Sequence, residues 1–424
     1  MRTNPLLRQL HASGMRLGLD RIRSFLEGIG SPHTCAPVVH VAGTNGKGSV
    51  CSMVDAILQE AGYKTGLTIS PHLQHVNERI RINGQPISDG QLDAVLRRVS
   101  ELASDWGRSH LNLGQDELPL TYFEAILAAA FLQFQQENVD VQVVEVGLGG
   151  RLDATSVVHP TVSAVVSIGL DHTDKLGPDL ASVASEKAGI FRKSVPAVVG
   201  QMKPSALNAL RDTAASRQTP LWVWGEDYQA FETSRGLCWS MDGVELDALT
   251  LALPGAFQVK NAGVALTLIE LMQRSGNFTI PHSARRRGLA RVEHAGRLEW
   301  LSDSVLLDGA HNVDSAQVLV EYLSALPHDC PRTLLLGFGE DKDMRSIGTI
   351  LAPQVDHILT TSCAHPRAAS PAVIASALAG IDASVAEAGP VEEALPRAMA
   401  NDGLLIVAGS LYLAGAVRDL LGSA

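Results

Sequence analysis

The segment "VVHVAGTNGKGSV" constrains the fold of this chain more than any other stretch. It joins a short apolar run, Val38–Ala42, to a glycine-rich loop, and a helical pattern of apolar residues follows and ends at Gly62. A buried strand, a glycine-rich turn and an amphipathic helix in this order are typical of the first unit of a parallel α/β sheet. The chain is therefore expected to fold around such a sheet.

Further apolar runs separated by helical patterns continue along the chain. "VQVVEVG" and "TVSAVVSIG" are apolar on both faces, as strands buried between two helical layers are. The stretch 222–253 has little helical pattern and is expected to form antiparallel hairpins or an edge extension of the sheet. After Leu298, strands are predicted in "SVLLDGA", "RTLLLGFG", "DHILTTS" and "GLLIVAGS". The predicted class is α/β, with a larger N-terminal domain and a smaller C-terminal Rossmann-like domain.

Two domains with a cleft between them fit this pattern and the length of 424 residues. The basic stretch "HSARRRGLARVEHAGR" separates the two series of strands and is the predicted linker. The expected boundaries are 1–285 for the first domain, 286–297 for the linker and 298–424 for the second domain.

Charge and apolar content argue against several classes of protein. A formal net charge of −11 argues against general nucleic-acid binding, which normally uses a basic surface. No uninterrupted apolar run reaches ~18 residues, so neither a membrane span nor a secretion signal is predicted. The five cysteines form no Cys-x-x-Cys pair, which indicates reduced thiols and a cytoplasmic location.

The glycine loop has the composition of a phosphate-binding site. Gly43, Gly46 and Gly48 allow the backbone to approach oxygen atoms closely, and the N-terminus of the following helix attracts anions. Lys47 adds a positive charge, and the Ser49 hydroxyl can ligate Mg²⁺. Unlike the common G-x-x-x-x-G-K-[ST] pattern, this loop has Gly48 between the lysine and the serine. The alternative is a glycine-rich turn with an exposed lysine; an ATP site is favoured, but it leaves the reaction open.

Three polar residues stand just after predicted strands, at the edge where the phosphate loop also lies. Glu145 ends the run of "VQVVEVG", His172 follows "SIGLD", and Ser70 ends "GLTIS". Separately, each has an ordinary explanation: a carboxylate that caps a loop, a hydrogen-bonded loop histidine and a helix N-cap. Together they place oxygen and nitrogen donors where open α/β sheets bind ligands. Lys187, in "ASEKAGIF", is most simply a solvated helix residue.

Taken together, the motifs resemble the folylpolyglutamate synthase/dihydrofolate synthase family of the Mur-ligase superfamily. The likeness runs nearly end to end through "HVAGTNGKGSV", "SPHLQHVNERIRING", "LTYFEA", "EVGLGGRLDAT", "SIGLDHT", "SEKAGI", "DGAHN" and "GSLYLAG". The loop GTNGKGS is this family's own, so the additional glycine is its signature. The resemblance implies an N-terminal phosphate-loop ATPase domain of the Mur-ligase central type. It also implies an ATP-dependent ligase that adds L-glutamate to dihydropteroate and to reduced folates through an acyl phosphate.

The resemblance implies roles for individual residues around ATP. Ligation of two Mg²⁺ ions is implied for Ser49, Ser70, Glu145, His172 and Lys187, the last as an anionic carbamate. Contacts with ATP are implied for Asn45, Gly46, Lys47, Gly48, Ser49, Asn261, Arg297 and Asp308. Catalytic roles are implied for Lys47, Glu145, His172 and Lys187.

Contacts with the other substrates are implied as well. Those with the pterin ring fall on Asp20, Arg21, Thr121, Tyr122, Phe123, Leu152, Asp153 and Ala154. Those with the incoming glutamate fall on His311 and Ser410. The implied partners are thus ATP, L-glutamate, dihydropteroate and reduced folates, with no nucleic acid and no membrane. The enzyme is expected to act as a monomer.

Other classes of protein fit the sequence less well. A cell-wall Mur ligase usually has a nucleotide-sugar domain before the loop, whereas only about 40 residues precede Gly43. A GTPase or kinase predicts a Lys-Ser/Thr pair within the loop and an N-K-x-D motif elsewhere, but Gly48 follows Lys47 in the loop and the sequence has no N-K-x-D motif. "GLGGR" and "GFGED" are incomplete dinucleotide fingerprints. A non-catalytic ATP-dependent scaffold would need neither Glu145 nor His172, and a folylpolyglutamate synthase that does not use dihydropteroate is the nearest alternative.

Overall fold

The structure is a computed structural model that describes Leu7, residues 16–111 and residues 119–422. The chain forms two compact units. Unit 1 consists of Met1–Ser70, Val76–Ala252 and Gln258–Val292. Unit 2 consists of Pro71–His75, Leu253–Phe257 and Glu293–Ala424.

Unit 1 is built on a mostly parallel sheet. Its strands are β1 (Val38–Ala42), β2 (Thr65–Thr68), β3 (Ile80–Ile82), β4 (Gln85–Pro86), β5 (Val141–Glu145), β6 (Val162–Val165), β7 (Ala197–Val199) and β8 (Leu221–Val223). Within the described ranges they run in the order β4-β3-β2-β5-β1-β6-β7-β8, with β3 and β4 antiparallel to their neighbours. β1 and β5 lie in parallel register and are buried at every position. The apolar runs of the sequence therefore form buried central strands, as predicted.

Residues 222–253 add an antiparallel sheet to unit 1. Its strands are β9 (Tyr228–Thr233), β10 (Gly236–Met241) and β11 (Val244–Leu249). Burial alternates along β10, as it does in a sheet with one face on the core. Nε1 of the buried Trp239 donates a hydrogen bond to Oγ1 of Thr267 at 3.1 Å. The predicted hairpins are confirmed.

Helices pack against the main sheet. They are α1 (Asp20–Gly28), α2 (Lys47–Glu60), α3 (Asp89–Leu111), α4 (Tyr122–Glu137), α5 (Thr173–Leu176), α6 (Leu180–Lys187), α7 (Pro204–Arg217), α8 (Ala256–Arg274) and α9 (His282–Arg291). One apolar cluster includes Phe25, Phe131 and Phe134. A second cluster includes Phe191 and Leu210. Burial of these large side chains is the main stabilising term of the unit.

The basic stretch expected to be a linker forms a helix over most of its length. Residues 286–291, predicted within the linker, belong to α9, and unit 1 continues to Val292. α9 packs so closely on α2 that a Cβ atom at Gly288 would lie 2.6 Å from Cα of Ile57. Nη1 of the buried Arg285 pairs with Oε2 of Glu270 at 2.8 Å. Paired arginines and a tight helix contact explain why this basic sequence is part of the first unit.

Unit 2 contains a second, smaller α/β sheet. Its strands are β12 (Glu299–Ser302), β13 (Val305–Leu307), β14 (Arg332–Leu336), β15 (His357–Ser362), β16 (Ser384–Pro390) and β17 (Leu404–Ala408). Its helices are α10 (Val313–Ala325), α11 (Met344–Leu351), α12 (Pro371–Ala377), α13 (Val391–Met399) and α14 (Leu411–Gly422). Among the described residues the order is β12-β13-β17-β14-β15-β16, parallel except for β12. The four strands predicted after Leu298 correspond to β13, β14, β15 and β17.

Across the part of the chain that the structure describes, every helix is too short or too polar to cross a membrane.

A buried carboxylate in α2 makes the stability of unit 1 depend on pH. Asp55 is 3% exposed, and its Oδ2 accepts a hydrogen bond from Nε2 of Gln59 at 2.7 Å. Burial raises the pKa of Asp55 from 3.8 to about 6. The folded state therefore holds this proton more tightly than the unfolded state, and stability is lost as pH rises through the folded pKa. The difference corresponds to at most about 3 kcal/mol.

Replacing Asp55 by Asn is expected to stabilise the protein by about 1–3 kcal/mol at pH 8 and by much less near pH 4. Urea unfolding at both pH values measures the change. The matched control is Asp212→Asn, because Asp212 is exposed and its replacement should change stability by less than about 0.5 kcal/mol. A gain for Asp55→Asn that does not vary with pH would contradict this account.

Candidate active site

The phosphate loop joins β1 to α2, and its shape depends on a glycine. Gly46 is the N-cap of α2 with a φ of +83°, a conformation that favours glycine. A Cβ atom there would lie 2.6 Å from Oδ1 of Asn261. Ser167 holds the loop, because its Oγ accepts from N of Asn45 at 2.9 Å and its O accepts from N of Thr44 at 2.8 Å. The sequence interpretation missed Ser167, although it is the first residue of "SIGLDHT".

Two lysine side chains meet at one carbonyl of this loop. Nζ of Lys47 donates to O of Gly43 at 3.0 Å, and Nζ of Lys187 donates to the same oxygen at 2.9 Å. Lys187 is only 4% exposed, so the expectation of a solvated helix residue is wrong. Burial, and then repulsion by Lys47, lowers the pKa of Lys187 to about 7. A substantial fraction of this amine is therefore neutral near physiological pH.

Glu145 and Ser70 lie together, as the argument from strand ends predicts. β2 and β5 are parallel neighbours, so residues that follow them reach the same edge of the sheet. Oε2 of Glu145 accepts a hydrogen bond from N of Ser70 at 2.7 Å, and Glu145 is 6% exposed. A buried carboxylate at a strand end is a hard oxygen donor of the kind that Mg²⁺ prefers. Glu145 thus fits a magnesium ligand.

His172 follows β6 on the way to α5. It adopts a left-handed conformation with a φ of +51°, and its Nε2 lies 3.9 Å from Oδ1 of Asp171. Among the described residues, no group of three or more His, Cys, Asp or Glu side chains is placed to hold a metal ion. Of the five predicted metal ligands, only Glu145 and His172 are of these four residue types. The predicted metal site therefore depends on serine hydroxyls and on modification of Lys187.

A chain of hydrogen bonds links α2 to α8 behind the loop. Oγ of Ser49, in the first turn of α2 after Gly48, accepts from Nε2 of Gln258 at 3.2 Å. Oε1 of Gln258 in turn accepts from Nδ2 of Asn261 at 2.8 Å. The predicted ATP residues Ser49 and Asn261 are thus connected by Gln258, which the sequence interpretation did not single out. Its spacing of three from Asn261 on a helix was the available signal.

Two of the predicted pterin contacts meet at the start of α4. Thr121 is the N-cap of α4 and forms a capping box with Glu124. Oε2 of Glu124 accepts from N and Oγ1 of Thr121 at 2.8 and 2.9 Å. Arg21 of α1 binds the same carboxylate, with Nη2 2.8 Å from Oε1 and Nε 2.9 Å from Oε2. Glu124 therefore joins Arg21 to Thr121.

Phe123 and Asp153 approach each other around Gly147. A Cβ atom at Gly147 would lie 2.7 Å from Cζ of Phe123 and 3.1 Å from Oδ2 of Asp153. Burial raises the pKa of the Asp153 carboxyl, while hydrogen bonds from Thr155 and Leu148 oppose the rise. An aromatic ring beside a buried acceptor suits a flat ligand that carries N–H donors.

The other predicted pterin contacts are more scattered. O of Leu152 accepts a hydrogen bond from the chain just before α1 at 3.4 Å. Ala154 is buried in a short 3₁₀ helix, Ala154–Val157. The ring of Tyr122 lies under the guanidinium group of Arg79, with 5.5 Å between its centroid and Cζ. The side chain of Asp20 is exposed, so the structure does not bring it together with the others.

Replacing Glu124 by Ala is expected to destabilise unit 1 by about 2–4 kcal/mol. The change removes the capping box of α4 and leaves Arg21 without its carboxylate. Urea unfolding measures the loss. Glu137→Ala is the matched control, because the Lys64–Glu137 pair is partly exposed and its loss should cost less than about 1 kcal/mol. Equal losses in the two variants would count against a special role for Glu124.

In unit 2, the predicted residues lie beside the ends of two adjacent strands, β13 and β17. Asp308 follows β13, and its two carboxylate oxygens accept backbone N–H donors at 2.9 and 2.8 Å. Burial raises the pKa of Asp308, and the nearby charge of Arg297 opposes this. Nδ1 of His311 lies 2.7 Å from a backbone carbonyl oxygen, and Ser410 follows β17 by two positions.

Known protein families match both units. Residues 41–269 match the Mur ligase middle domain, and residues 296–411 match the glutamate ligase domain of Mur ligases. The two matches follow one another in the order of the two units and together cover more than half of the chain. The fold and the site thus define a Mur ligase, a class of ATP-dependent ligases.

Comparison with individual relatives shows to which family of Mur ligases the chain belongs. The dihydrofolate synthase/folylpolyglutamate synthase of Escherichia coli is 33% identical over 98% of this chain and 94% of its own length. That of Mycobacterium tuberculosis is 34% identical, over 95% of this chain and 90% of its own length. The chain spans only 48% of a Haloferax volcanii relative, 34% identical and named probable bifunctional folylpolyglutamate synthase/dihydropteroate synthase. The chain belongs to the dihydrofolate synthase/folylpolyglutamate synthase family.

Solved structures share the fold. Escherichia coli FolC in complex with DHPP and ADP has a TM-score of 0.88 and 32% identity, over 99% of this chain and 98% of that chain. The Yersinia pestis bifunctional enzyme complexed with AMPPNP and Mn ion has a TM-score of 0.85 and 32% identity, over 99% and 98%. The predicted α/β class, with its phosphate-loop domain and its second α/β domain, is confirmed.

Proposed function

We propose that this ligase adds L-glutamate to dihydropteroate, which forms dihydrofolate, and to reduced folates, which forms folylpolyglutamates. The proposal is based on two groups of side chains in unit 1, one suited to ATP and one suited to a pterin ring. The phosphate loop with Lys47 and the buried Glu145 suit ATP with a divalent cation. Phe123 beside the buried Asp153 suits a pterin ring, whose N–H groups are donors. The names of the relatives support the same substrates.

The chemistry begins with a carboxylate, which is a weak electrophile. Transfer of the γ-phosphoryl group of ATP to a carboxylate oxygen gives an acyl phosphate and ADP. The amine of glutamate then attacks the acyl carbon and loses a proton, phosphate departs, and an amide bond remains. Lys47 neutralises charge on the transferring phosphoryl group, a contribution of about 3–4 kcal/mol to the barrier.

Ser49, Ser70, Glu145 and His172 are the residues proposed to hold Mg²⁺, together with a modified Lys187. Bound Mg²⁺, proposed as two ions, would neutralise phosphate charge and align the reacting groups. Glu145 is suited to this role because its carboxylate is buried at the strand edge and its Oε2 is fixed by N of Ser70. A related enzyme that was solved with AMPPNP and Mn ion supports a divalent cation here.

We also propose that Lys187 carries a carbamate. A carbamate forms when a neutral amine attacks CO₂ and the product loses a proton. The pKa of about 7 keeps part of the Lys187 amine neutral, so this reaction needs little prior deprotonation. Conversion to an anion would remove the repulsion between Lys187 and Lys47, and it would supply an oxygen ligand for Mg²⁺.

Unit 2 is proposed to contribute residues that contact ATP and glutamate. Arg297 and Asp308 are proposed to contact ATP, and His311 and Ser410 are proposed to contact glutamate. Their place beside the carboxyl ends of parallel strands supports a ligand-binding role. The enzyme is proposed to act as a monomer in the cytoplasm, where the five free cysteines would stay reduced.

The second candidate is a folylpolyglutamate synthase that does not use dihydropteroate. A Lacticaseibacillus casei relative with the name folylpolyglutamate synthase is 30% identical. One assay separates the two: purified enzyme with Mg²⁺, ATP and glutamate is given either dihydropteroate or tetrahydrofolate, and product masses are measured with ADP release. Each substrate should gain one glutamyl residue. A product from tetrahydrofolate alone would support the second candidate, and no product from either would overturn both.

A further inference from the structure

We propose that His40 and Thr155 are positioning residues that orient Asp153 for its contact with the pterin ring, an inference that rests on the function proposed above. Nε2 of His40 lies 2.9 Å from Oγ1 of Thr155, which donates to Oδ1 of Asp153 at 2.5 Å. His40 and Thr155 are 0% exposed and Asp153 is 5% exposed. The other residues of β1 are valine and alanine. A buried histidine among them costs free energy, and its hydrogen bond to Thr155 offsets this cost only in part because Nδ1 has no partner among the described residues.

The hydrogen bonds from His40 through Thr155 to Asp153 all have the same donor-to-acceptor direction. Both oxygens of Asp153 accept hydrogen bonds: Oδ1 from N and Oγ1 of Thr155 at 3.0 and 2.5 Å, and Oδ2 from N of Leu148 at 2.8 Å. The hydroxyl of Thr155 has one proton, and it donates this proton in the hydrogen bond to Oδ1 of Asp153. Nε2 of His40 must therefore be the donor to Oγ1 of Thr155, which assigns the neutral tautomer with its proton on Nε2.

His40 stays in this state over the physiological pH range. Burial, and then the charge of Arg192, lowers the pKa of His40 to about 3. Nδ1 of His40 has no hydrogen-bond partner among the residues that the structure describes, so its Nε2–H is the one polar contact of the ring there. A neutral ring that always donates prevents the Thr155 hydroxyl from turning away from Asp153, and it polarises that hydroxyl.

This arrangement fixes which oxygen of Asp153 faces a ligand. Oδ1 is held by two donors from Thr155, whereas Oδ2 lies on the side of Phe123 at Gly147. A ring that stacks against Phe123 would therefore present its N–H donors to Oδ2. If the Thr155 hydroxyl is lost, the backbone donors N of Thr155 on Oδ1 and N of Leu148 on Oδ2 remain. The carboxylate is then held less tightly and the geometry of its contact with the ring relaxes, although neither His40 nor Thr155 touches the ligand.

The test compares Thr155→Val, which removes the hydroxyl, with Thr155→Ser, which keeps it. Thr155→Val should raise KM for dihydropteroate on the order of tenfold, the equivalent of one lost hydrogen bond. KM for ATP and kcat should stay within about twofold. Thr155→Ser should restore the wild-type KM for dihydropteroate. His40→Phe should behave like Thr155→Val, and His40→Gln, which keeps a side-chain N–H donor, should recover part of the loss.

A purely structural role predicts a different result. Thermal unfolding of each variant is measured in parallel. A purely structural role would lower Tm but would leave the ratio of KM for dihydropteroate to KM for ATP unchanged. That result, or an equal rise in KM for ATP and for dihydropteroate, would overturn the inference while the proposed function stands. Absence of turnover in the wild-type enzyme with both pterin substrates would instead overturn the proposed function and this inference with it.

Discussion

Replacing Lys47 by Ala is expected to reduce formation of ADP and of the glutamylated product by about a thousandfold. In the structure Nζ of Lys47 is held by O of Gly43 at 3.0 Å and O of Thr44 at 3.1 Å. Both oxygens belong to the loop that is proposed to bind the phosphates, so the ammonium group is already at the site where negative charge would develop. The backbone of the loop does not depend on it, since Ser167 holds Thr44 and Asn45. Loss of activity without loss of fold follows.

Two measurements make this result specific. Circular dichroism and thermal unfolding of Lys47→Ala should match the wild type, and calorimetry should show weakened binding of ATP. The matched control is Lys203→Ala, because Lys203 is an exposed lysine at the N-cap of α7. Its replacement removes one positive charge outside the phosphate loop. Near-normal turnover of Lys47→Ala would refute the proposed role of the phosphate loop.

The fold followed from the sequence where local patterns carry the information. "VVHVA" and "VQVVEVG" are apolar at successive positions, and the structure places them side by side as β1 and β5. Because parallel strands end at one edge, the positions of Ser70 and Glu145 in the sequence were enough to predict that they meet. The sequence interpretation did not single out the capping box that α4 forms, although Thr121 and Glu124 have its spacing.

The sequence was insufficient where the outcome depends on which elements pack together. The basic stretch 282–297 was expected to be a linker because it separates the two series of predicted strands. Its partners, Glu60 and Glu270, lie far earlier in the sequence or on another helix. Lys187 had the appearance of a solvated residue for the same reason: its burial comes from the loop at Gly43. Ser167 escaped notice because a single polar residue in an apolar segment produces no pattern, whereas the spacing of Gln258 from Asn261 was a signal that the sequence interpretation did not use.

Lys187→Ala is expected to lower turnover by about a hundredfold or more, and added formate or acetate should restore part of it. The proposed carbamate would supply an anionic oxygen ligand at the end of a long side chain. Truncation to alanine leaves space there for a small carboxylate, which can take the same place and charge. Initial rates with increasing formate, at constant ionic strength set by chloride, measure the recovery.

Two controls separate this chemistry from a general salt effect. Lys47→Ala should not recover with formate, because that site requires a positive charge. Wild-type enzyme incubated with isotope-labelled bicarbonate should show a carbamate signal that Lys187→Ala lacks. Full activity of Lys187→Ala without any added carboxylate would remove Lys187 from the proposed ligand set. The buried amine would then be an unmodified donor to O of Gly43 that holds the phosphate loop against α6.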